Sequence, residues 1–236
     1  EISLYQRGVV VPFMLKFSYI GAWVLKSPSS GPAKGGTEIT ILTSGVEPLA
    51  ADYVCIFGVT AANLELQTQA YPDADGEMIR CTTPPWPHRA QTVEFGLRKG
   101  SVPFSFGDLG LDEVGPFFTF EKGWDIVSSP LNGMEDTPAV IPGSGDVFPQ
   151  VEGYGFEKGR NYTCAFKHLD GTVLNTSAHV KSSTRLHCVQ PAWGLRHGAG
   201  FVEGAASLDV ADENGILIPY MNYGVEAVVT TGCKNS

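Results

Sequence analysis

Apolar residues along this chain recur at every second position more often than at every third or fourth. Glu38-Ile39-Thr40-Ile41-Leu42-Thr43 is rich in β-branched and apolar residues and lies near Gly35-Gly36 and Gly45, which predicts a strand bounded by turns. Tyr53 to Phe57 sets Tyr, Cys and Phe on alternate positions, and Thr92-Val93-Glu94-Phe95-Gly96-Leu97 alternates strictly. That is the period of a strand with one buried face. No stretch carries a convincing 3.6-residue period. Several short strands at turn-punctuated spacing in about 100 residues describe a β-sandwich.

The pattern occurs twice. Asp52-Tyr53-Val54-Cys55-Ile56-Phe57 is matched by Asn161-Tyr162-Thr163-Cys164-Ala165-Phe166, at a shift of 109. Ile79-Arg80-Cys81-Thr82-Thr83-Pro84-Pro85-Trp86 is matched by Leu186-His187-Cys188-Val189-Gln190-Pro191-Ala192-Trp193, at a shift of 107. Order and spacing agree, so the chain reads as a tandem duplication. Ile2 to Phe13 also aligns with Val93 to Phe104, with Arg7 at Arg98 and a shared Val-Pro-Phe ending. Gly215-Ile216-Leu217-Ile218-Pro219-Tyr220 is a third version. Phe17-Ser18-Tyr19 and Met221-Asn222-Tyr223 both parallel Phe118-Thr119-Phe120. The expected division is a terminal hairpin of a preceding repeat at 1–23, complete sandwiches at 24–122 and 123–225, and the start of a further repeat or a linking tail at 226–236.

Cysteine spacing follows the repeat. Cys55 and Cys81, and Cys164 and Cys188, each join a candidate strand to the end of another. Neighbouring strands of a sandwich bring Cα atoms within disulfide range, so the expected pairs are Cys55–Cys81 and Cys164–Cys188. The alternative is reduced core cysteines in a cytosolic protein. Zinc is disfavoured, because no Cys-x-x-Cys occurs and the histidines are scattered. Cys233 is left over, open to an intermolecular bond, a partner in further chain, or a free thiol.

Composition narrows the class. The 236 residues include 28 Gly and 16 Pro, above their usual combined share of about 12%. The net charge of −9 with only 16 Lys and Arg argues against a nucleic-acid partner. No apolar run reaches the roughly 18 residues of a membrane span, so this segment is not expected to insert in a membrane. Sequons at Asn161-Tyr162-Thr163 and Asn175-Thr176-Ser177 are candidate N-glycosylation sites. With the paired cysteines they point to an extracellular or cell-surface location. The chain begins at Glu1, which reads as a mature or trimmed product.

Longer signatures resemble the IPT/TIG family of immunoglobulin-like domains. They are Ser27-Pro28-Ser29-Ser30-Gly31-Pro32-Ala33-Lys34-Gly35-Gly36-Thr37-Glu38-Ile39-Thr40-Ile41, Cys55-Ile56-Phe57-Gly58, Ile79-Arg80-Cys81-Thr82-Thr83-Pro84 and Phe118-Thr119-Phe120. In the second copy Thr137-Pro138-Ala139-Val140-Ile141-Pro142-Gly143-Ser144-Gly145 stands at the entry, while the Cys-x-Phe and Cys-x-x-Pro elements persist. The resemblance implies an all-β fold of tandem immunoglobulin-like sandwiches of about 100 residues each. Such domains occur in receptor stalks such as those of plexins, in large extracellular proteins, in Rel-type transcription factors and beside polysaccharide enzymes, so the fold does not decide function. The acidic balance, paired cysteines and sequons count against the transcription-factor branch. At the entry, the Gly pair permits φ values closed to other residues. Trp86 and Trp193 follow the second cysteine of each copy and suit the cover of a sandwich end.

Candidate chemistry is sparse. Gly143-Ser144-Gly145 lacks the full nucleophile-elbow pattern and reads as a turn. Asp73-Ala74-Asp75-Gly76-Glu77 begins like a calcium loop but lacks the later ligands, so it reads as a polar turn. His88, His168, His179, His187 and His197 form no ligand spacing, and Arg196 to Gly200 reads as a loop. Asp108 to Glu113 is an acidic insertion, either a tolerated loop or a contact surface. No catalytic constellation, metal site or cofactor is expected, and the chain is not expected to be an enzyme.

The leading functional expectation is an extracellular structural protein whose sandwiches stack end to end. A lone hairpin at 1–20 cannot bury both faces, so Val9, Val10, Val11 and Phe13 call for a partner. Val228 and Val229, in Ala227-Val228-Val229-Thr230, pose the same problem. Copies of the chain completing one another by strand addition would give a homo-oligomer or a filament, with Cys233 available to lock the contact. The alternatives are a stalk or adhesion fragment of a cell-surface receptor, and a carbohydrate-binding accessory module using aromatics near Trp86 or Trp193. Covalent N-glycans at Asn161 and Asn175 are the other expected partners.

Overall fold

A computed structural model describes residues 4–6, 9–11, 21–48, 50–107, 115–128, 139–141, 148–168, 171–191, 203–221 and 228–232. The fold is all-β. An N-terminal hairpin pairs β1 (Leu4–Gln6) with β2 (Val9–Val11). The first sandwich contains β3 (Ala22–Ser27), β4 (Ser30–Pro32), β5 (Glu38–Ser44), β6 (Tyr53–Val59), β7 (Leu64–Pro72), β8 (Met78–Thr82), β9 (Gln91–Lys99), β10 (Val102–Pro103), β11 (Ser105–Phe106) and β12 (Phe117–Glu121). The second contains β13 (Gly123–Ser128), β14 (Ala139–Ile141), β15 (Gln150–Tyr154), β16 (Tyr162–His168), β17 (Val173–Ser182), β18 (Arg185–Cys188), β19 (Glu203–Ala211) and β20 (Val228–Gly232).

The duplication is visible in the hydrogen bonding. The first sheet runs β11-β3-β5-β8-β7-β6-β9-β12-β4, and the second runs β13-β15-β18-β17-β16-β19-β20-β14. Apart from the short β11, the two orders correspond strand for strand. In both, the short strand after the entry pairs parallel with the last strand, β4 on β12 and β14 on β20.

Each sheet folds over to close on its own core. Cys55 on β6 is bonded to Cys81 on β8 with Cα atoms 6.5 Å apart, and Cys164 on β16 to Cys188 on β18 at 5.9 Å. Those strands are not neighbours, because β7 or β17 lies between them. Adjacent strands sit about 4.8 Å apart, so a flat sheet would hold these positions near 10 Å. The sheet therefore bends across the middle strand. The residue there is small and buried in both copies: Ala70 pairs with Tyr53 and Cys81, and Ala178 with Tyr162 and Cys188.

The alternating positions supply the core. In β6, Tyr53, Cys55 and Phe57 are buried, and in β16 Tyr162, Cys164 and Phe166. Phe57 meets Phe95, Phe118 and Phe120 with ring centroids 5.3, 5.7 and 5.8 Å away. The entry turn is as expected: Gly35 and Gly36 take φ of +84° and +81°. A Cβ on Gly35 would lie 2.6 Å from the Pro84 carbonyl carbon, so that glycine is required by space as well as by backbone. Asp73 closes its turn by accepting hydrogen bonds from the Gly76 and Met78 amides.

Two expectations are corrected. Residues 226–236 are expected from the sequence to open a further repeat or to form a linking tail, with Val228 and Val229 needing a partner for assembly. Instead β20 pairs antiparallel with β19, Val228 opposite Ser207 and Val229 opposite Ala206, and parallel with β14. The free edge of β19 needs backbone partners, and β20 provides them. The second sandwich thus runs past 225. Met221, which opens the segment read as its closing strand, lies elsewhere. The Met221 amide donates to the Trp124 carbonyl at 2.8 Å, as the Gly107 amide does to that of Trp23 at 2.8 Å. Trp86 is also corrected as a carbohydrate platform. It is 1% exposed, stacked on Phe120 at 4.8 Å, and donates its indole N–H to the Arg89 carbonyl at 3.1 Å. Phe13, Ser144, Asp108 to Glu113, Trp193, Arg196 to Gly200 and Cys233 lie outside the described residues.

Ending the chain at Gly224 removes β20 and should lower the second sandwich's unfolding midpoint by several degrees in calorimetry, leaving the first transition in place. An unchanged second transition would assign β20 no role there. Replacing Cys55 and Cys81 together by Ala should cost the first sandwich about 3.5 kcal/mol by loop-closure entropy, measured by urea unfolding against the oxidised chain.

Candidate functional site at the junction of the sandwiches

The contacts with the clearest functional content lie where one sandwich meets the next. Each sandwich has a head, with the turn after its last long core strand (after Lys99, and after Ala211), and a tail, with the loop after its second cysteine. At the junction the first sandwich's tail meets the second's head. One residue, Lys122, separates β12 from β13.

The backbones approach closely enough to require glycine. A Cβ on Gly123 would fall 2.4 Å from the Tyr154 hydroxyl oxygen, and one on Gly153 2.3 Å from the Gly123 carbonyl oxygen. Gly155, at φ +76°, leaves only 3.0 Å between such a Cβ and that of Ala90. Tyr154, on the first strand pair of the second sandwich, packs as a buried member of the first sandwich's core, and Met221 packs against the same core. The Ala90 amide donates to the Gly155 carbonyl at 3.1 Å, and the Ser183 hydroxyl to the Pro87 carbonyl at 2.7 Å.

Buried indoles anchor both heads. Trp23 packs on Phe106 at 4.6 Å, and Trp124 on Tyr220 at 4.5 Å. The Trp124 indole N–H donates to the Ile218 carbonyl at 3.0 Å. Sequence reasoning missed both tryptophans; each sits one residue into the first strand of its sandwich, 101 residues apart, which was the available signal.

Among the described residues three ion pairs cross the junction, and these three have the same polarity. Lys34, Arg89 and Lys122 of the first sandwich meet Asp125, Glu157 and Asp212 of the second at 2.5, 2.6 and 3.2 Å. Arg160 extends the network from the second head, pairing with Glu157 at 3.4 Å and Glu213 at 2.6 Å. The Arg89 guanidinium holds the Glu157 carboxyl below its ordinary value despite partial desolvation. Burial pushes the Asp212 carboxyl up, but the Lys122 ammonium and the Asn214 and Ile216 amides outweigh it and leave it lowered. Glu213 and Glu157 hold the proton of Arg160 more tightly than usual.

A shallow polar cleft opens beside this network, lined by Lys122, Glu157, Arg160, Asn161, Tyr162 and Asp212 among others. Asn161 is exposed at its rim, and Asn175 is exposed on β17, opposite Ala165. Both sequons are sterically open. The arrangement can position, hold and orient two bodies. Among the described residues, no group of three or more His, Cys, Asp or Glu side chains is placed to hold a metal ion.

No family model matches the chain, and no curated protein matches it in sequence. Solved structures do. Plexin A4's extracellular region, domains 1 to 8, is 11% identical over 90% of this chain and 27% of that one, with a TM-score of 0.30. A tetra-tandem repeat from the extending region of a large adhesion protein is 12% identical over 84% of this chain and 47% of that one, with a TM-score of 0.31. A solved chain described under host cell surface retention of a 1.5-MDa bacterial ice-binding adhesin is 10% identical over 92% of this chain and 98% of that solved chain, with a TM-score of 0.22. The chain thus spans less than half the length of the first two. Similarity at this level says nothing of function, which must come from the chain's own geometry.

The cross-junction carboxylates set a pH dependence. The folded values of Glu157 and Asp212 are lowered, so the contribution of these two is present above the ordinary carboxylate range and is lost as pH falls through the lowered folded values, below about pH 4. Glu157→Gln should lower the thermal midpoint at pH 7 by about 1–3 °C. The gap to the native chain should close as pH falls or as salt rises. A gap constant with pH would assign Glu157 no ionic role.

Proposed function

We propose that this chain is a non-enzymatic structural segment of an extracellular or cell-surface protein, in which immunoglobulin-like sandwiches of the IPT/TIG type couple end to end into a stiff array. The observation that carries the reading is the junction. A single-residue link, interleaved core residues and three crossing ion pairs leave no hinge of the kind that a Gly/Ser-rich linker makes. Two buried disulfides favour an oxidising compartment, and the exposed Asn161 and Asn175 suit N-glycosylation there.

A stiff tandem of this kind serves either a spacer that holds a binding head away from a membrane or the body of an adhesion or filament protein. With β20 now part of the second sheet, strand addition between copies rests on the N-terminal hairpin alone. In it, Val9, Val10 and Val11 pair with Gln6, Tyr5 and Leu4.

Small-angle scattering from the whole chain tests the coupling. One elongated body with a single maximum dimension, unchanged between 0.1 and about 0.5 M salt where surface pairs are screened, is the expected result. An ensemble of inter-sandwich angles would overturn it. Sedimentation over a wide concentration range reads assembly separately. Self-association that Val10→Asp abolishes supports the filament reading, and a monomer throughout supports the spacer.

A further inference from the structure

The two heads are built on the same plan but hold their cation differently. In the first head the Glu47 amide donates to the Tyr53 hydroxyl at 2.8 Å; in the second the Glu157 amide donates to that of Tyr162 at 3.0 Å. The residue opposite Tyr53 on β9 is Lys99. On β19, Thr163 is opposite Ala211, so the position facing Tyr162 is Asp212. The turns match further: Lys99 pairs with Val102, while the Asp212 amide donates to the Ile216 carbonyl at 2.9 Å.

Each tyrosine ring has one ammonium over it. In the first head it belongs to the head itself: Lys99 lies 5.4 Å from the Tyr53 centroid and is ion-paired with Glu47. In the second it is brought by the neighbour: Lys122 lies 5.8 Å from the Tyr162 centroid and pairs with Asp212 at 3.2 Å. The exchange extends to the joining residue. Lys122 directly precedes β13, and Gly21 directly precedes β3. A side chain at Gly21 has no room, because its Cβ would fall 2.1 Å from the Phe104 ring. At the second head the place of Phe104 is taken by the smaller Ile218, whose amide donates to Val210 as that of Phe104 does to Leu97, both at 2.8 Å.

We propose that each head is a keyed docking face for the tail of another sandwich, with room for one ammonium over its tyrosine. The second head takes a tail that ends in lysine. The first, already holding Lys99 and blocked by Phe104, takes only a tail joined through a residue with neither cation nor side chain. Its partner is therefore a sandwich of the same kind delivered through Gly21, and the lysine-ended tail of the first sandwich is refused. Two ammoniums on one ring would repel at close range, and an unpaired Asp212 would lose its partner. Such repulsive elements fix the order of modules as effectively as attractive ones. What docks at the first head rests on the end-to-end reading above; the key at the second head does not.

A mutant cycle on the whole chain tests the key. Lys122→Gly and Asp212→Lys should each lower the thermal midpoint of the whole chain, while the shared packing keeps the sandwiches tumbling as one body in 15N relaxation. The double variant, which copies the first head's arrangement, should be lowered by less than the two singles summed and tumble as one body. The Asp212 turn contacts cancel in the cycle. Strictly additive losses in thermal midpoint would overturn the key. The partner is tested by replacing residues 1–21 with a second copy of residues 22–122. With Lys122 kept in the added copy, the new junction should be loose; with Lys122→Gly there, it should tumble as one body with the next sandwich. Equal behaviour of the two would overturn the assignment of the first head, even with the stiff native junction intact.

Discussion

Each sandwich depends on one sheet folding back across a single small residue. Ala70 and Ala178 lie at the crease, and the cystine bridges the strands on either side of it. A larger side chain at the crease would meet the bridge and its neighbouring rings. Overpacking of this kind costs about 1–3 kcal/mol in a close-packed core. Because both copies crease at the same strand, they send equivalent loops to equivalent ends. That places a tyrosine-bearing head and a tryptophan-sealed tail on the first, and makes end-to-end contact between copies a repeated geometry.

The junction inherits its stiffness from this plan. A tail sealed by Trp86 on Phe120 offers a firm base, and Tyr154 enters the core beneath it. Gly153 lets β13 close on β15 within the second sandwich, and Gly155, at positive φ, lets the backbone approach Ala90 and Lys122 across the junction. Coupling therefore comes from shared packing, with the ion pairs adding orientation. This matches the modest worth of exposed pairs taken singly.

The core was legible in the sequence because it is periodic. Tyr53, Cys55 and Phe57, and their counterparts, sit at alternate positions and carry the cysteines, and both pairings followed from that. The last strand was not legible, because loop insertions change the offset between copies. It is 101 at the tryptophans, 109 at the first cysteines and 111 between Phe117 and Val228. The run 216–220 does take the place of the segment around Phe104, but Met221-Asn222-Tyr223 imitates Phe118-Thr119-Phe120 in sequence, so the frame slipped there and 228–232 was left as surplus. The junction was illegible for another reason. Lys34, Arg89, Asp125 and Glu157 lie in loops or on outward positions with no period, and only the tertiary fold brings them together.

The polarity of the junction gives the array a direction. The chain is acidic overall, at −9, so two such bodies repel at range unless opposite charges face one another. Among the described residues, the crossing cations belong to the tail and the crossing carboxylates to the head. Tail against tail would face cations with cations, and head against head would face acids with acids. At this junction head against tail is complementary, and complementarity of this sort sets orientation more than affinity. An interface that is polar in this sense and does not close on itself extends along one axis. The end-to-end array proposed above would therefore be a directional one.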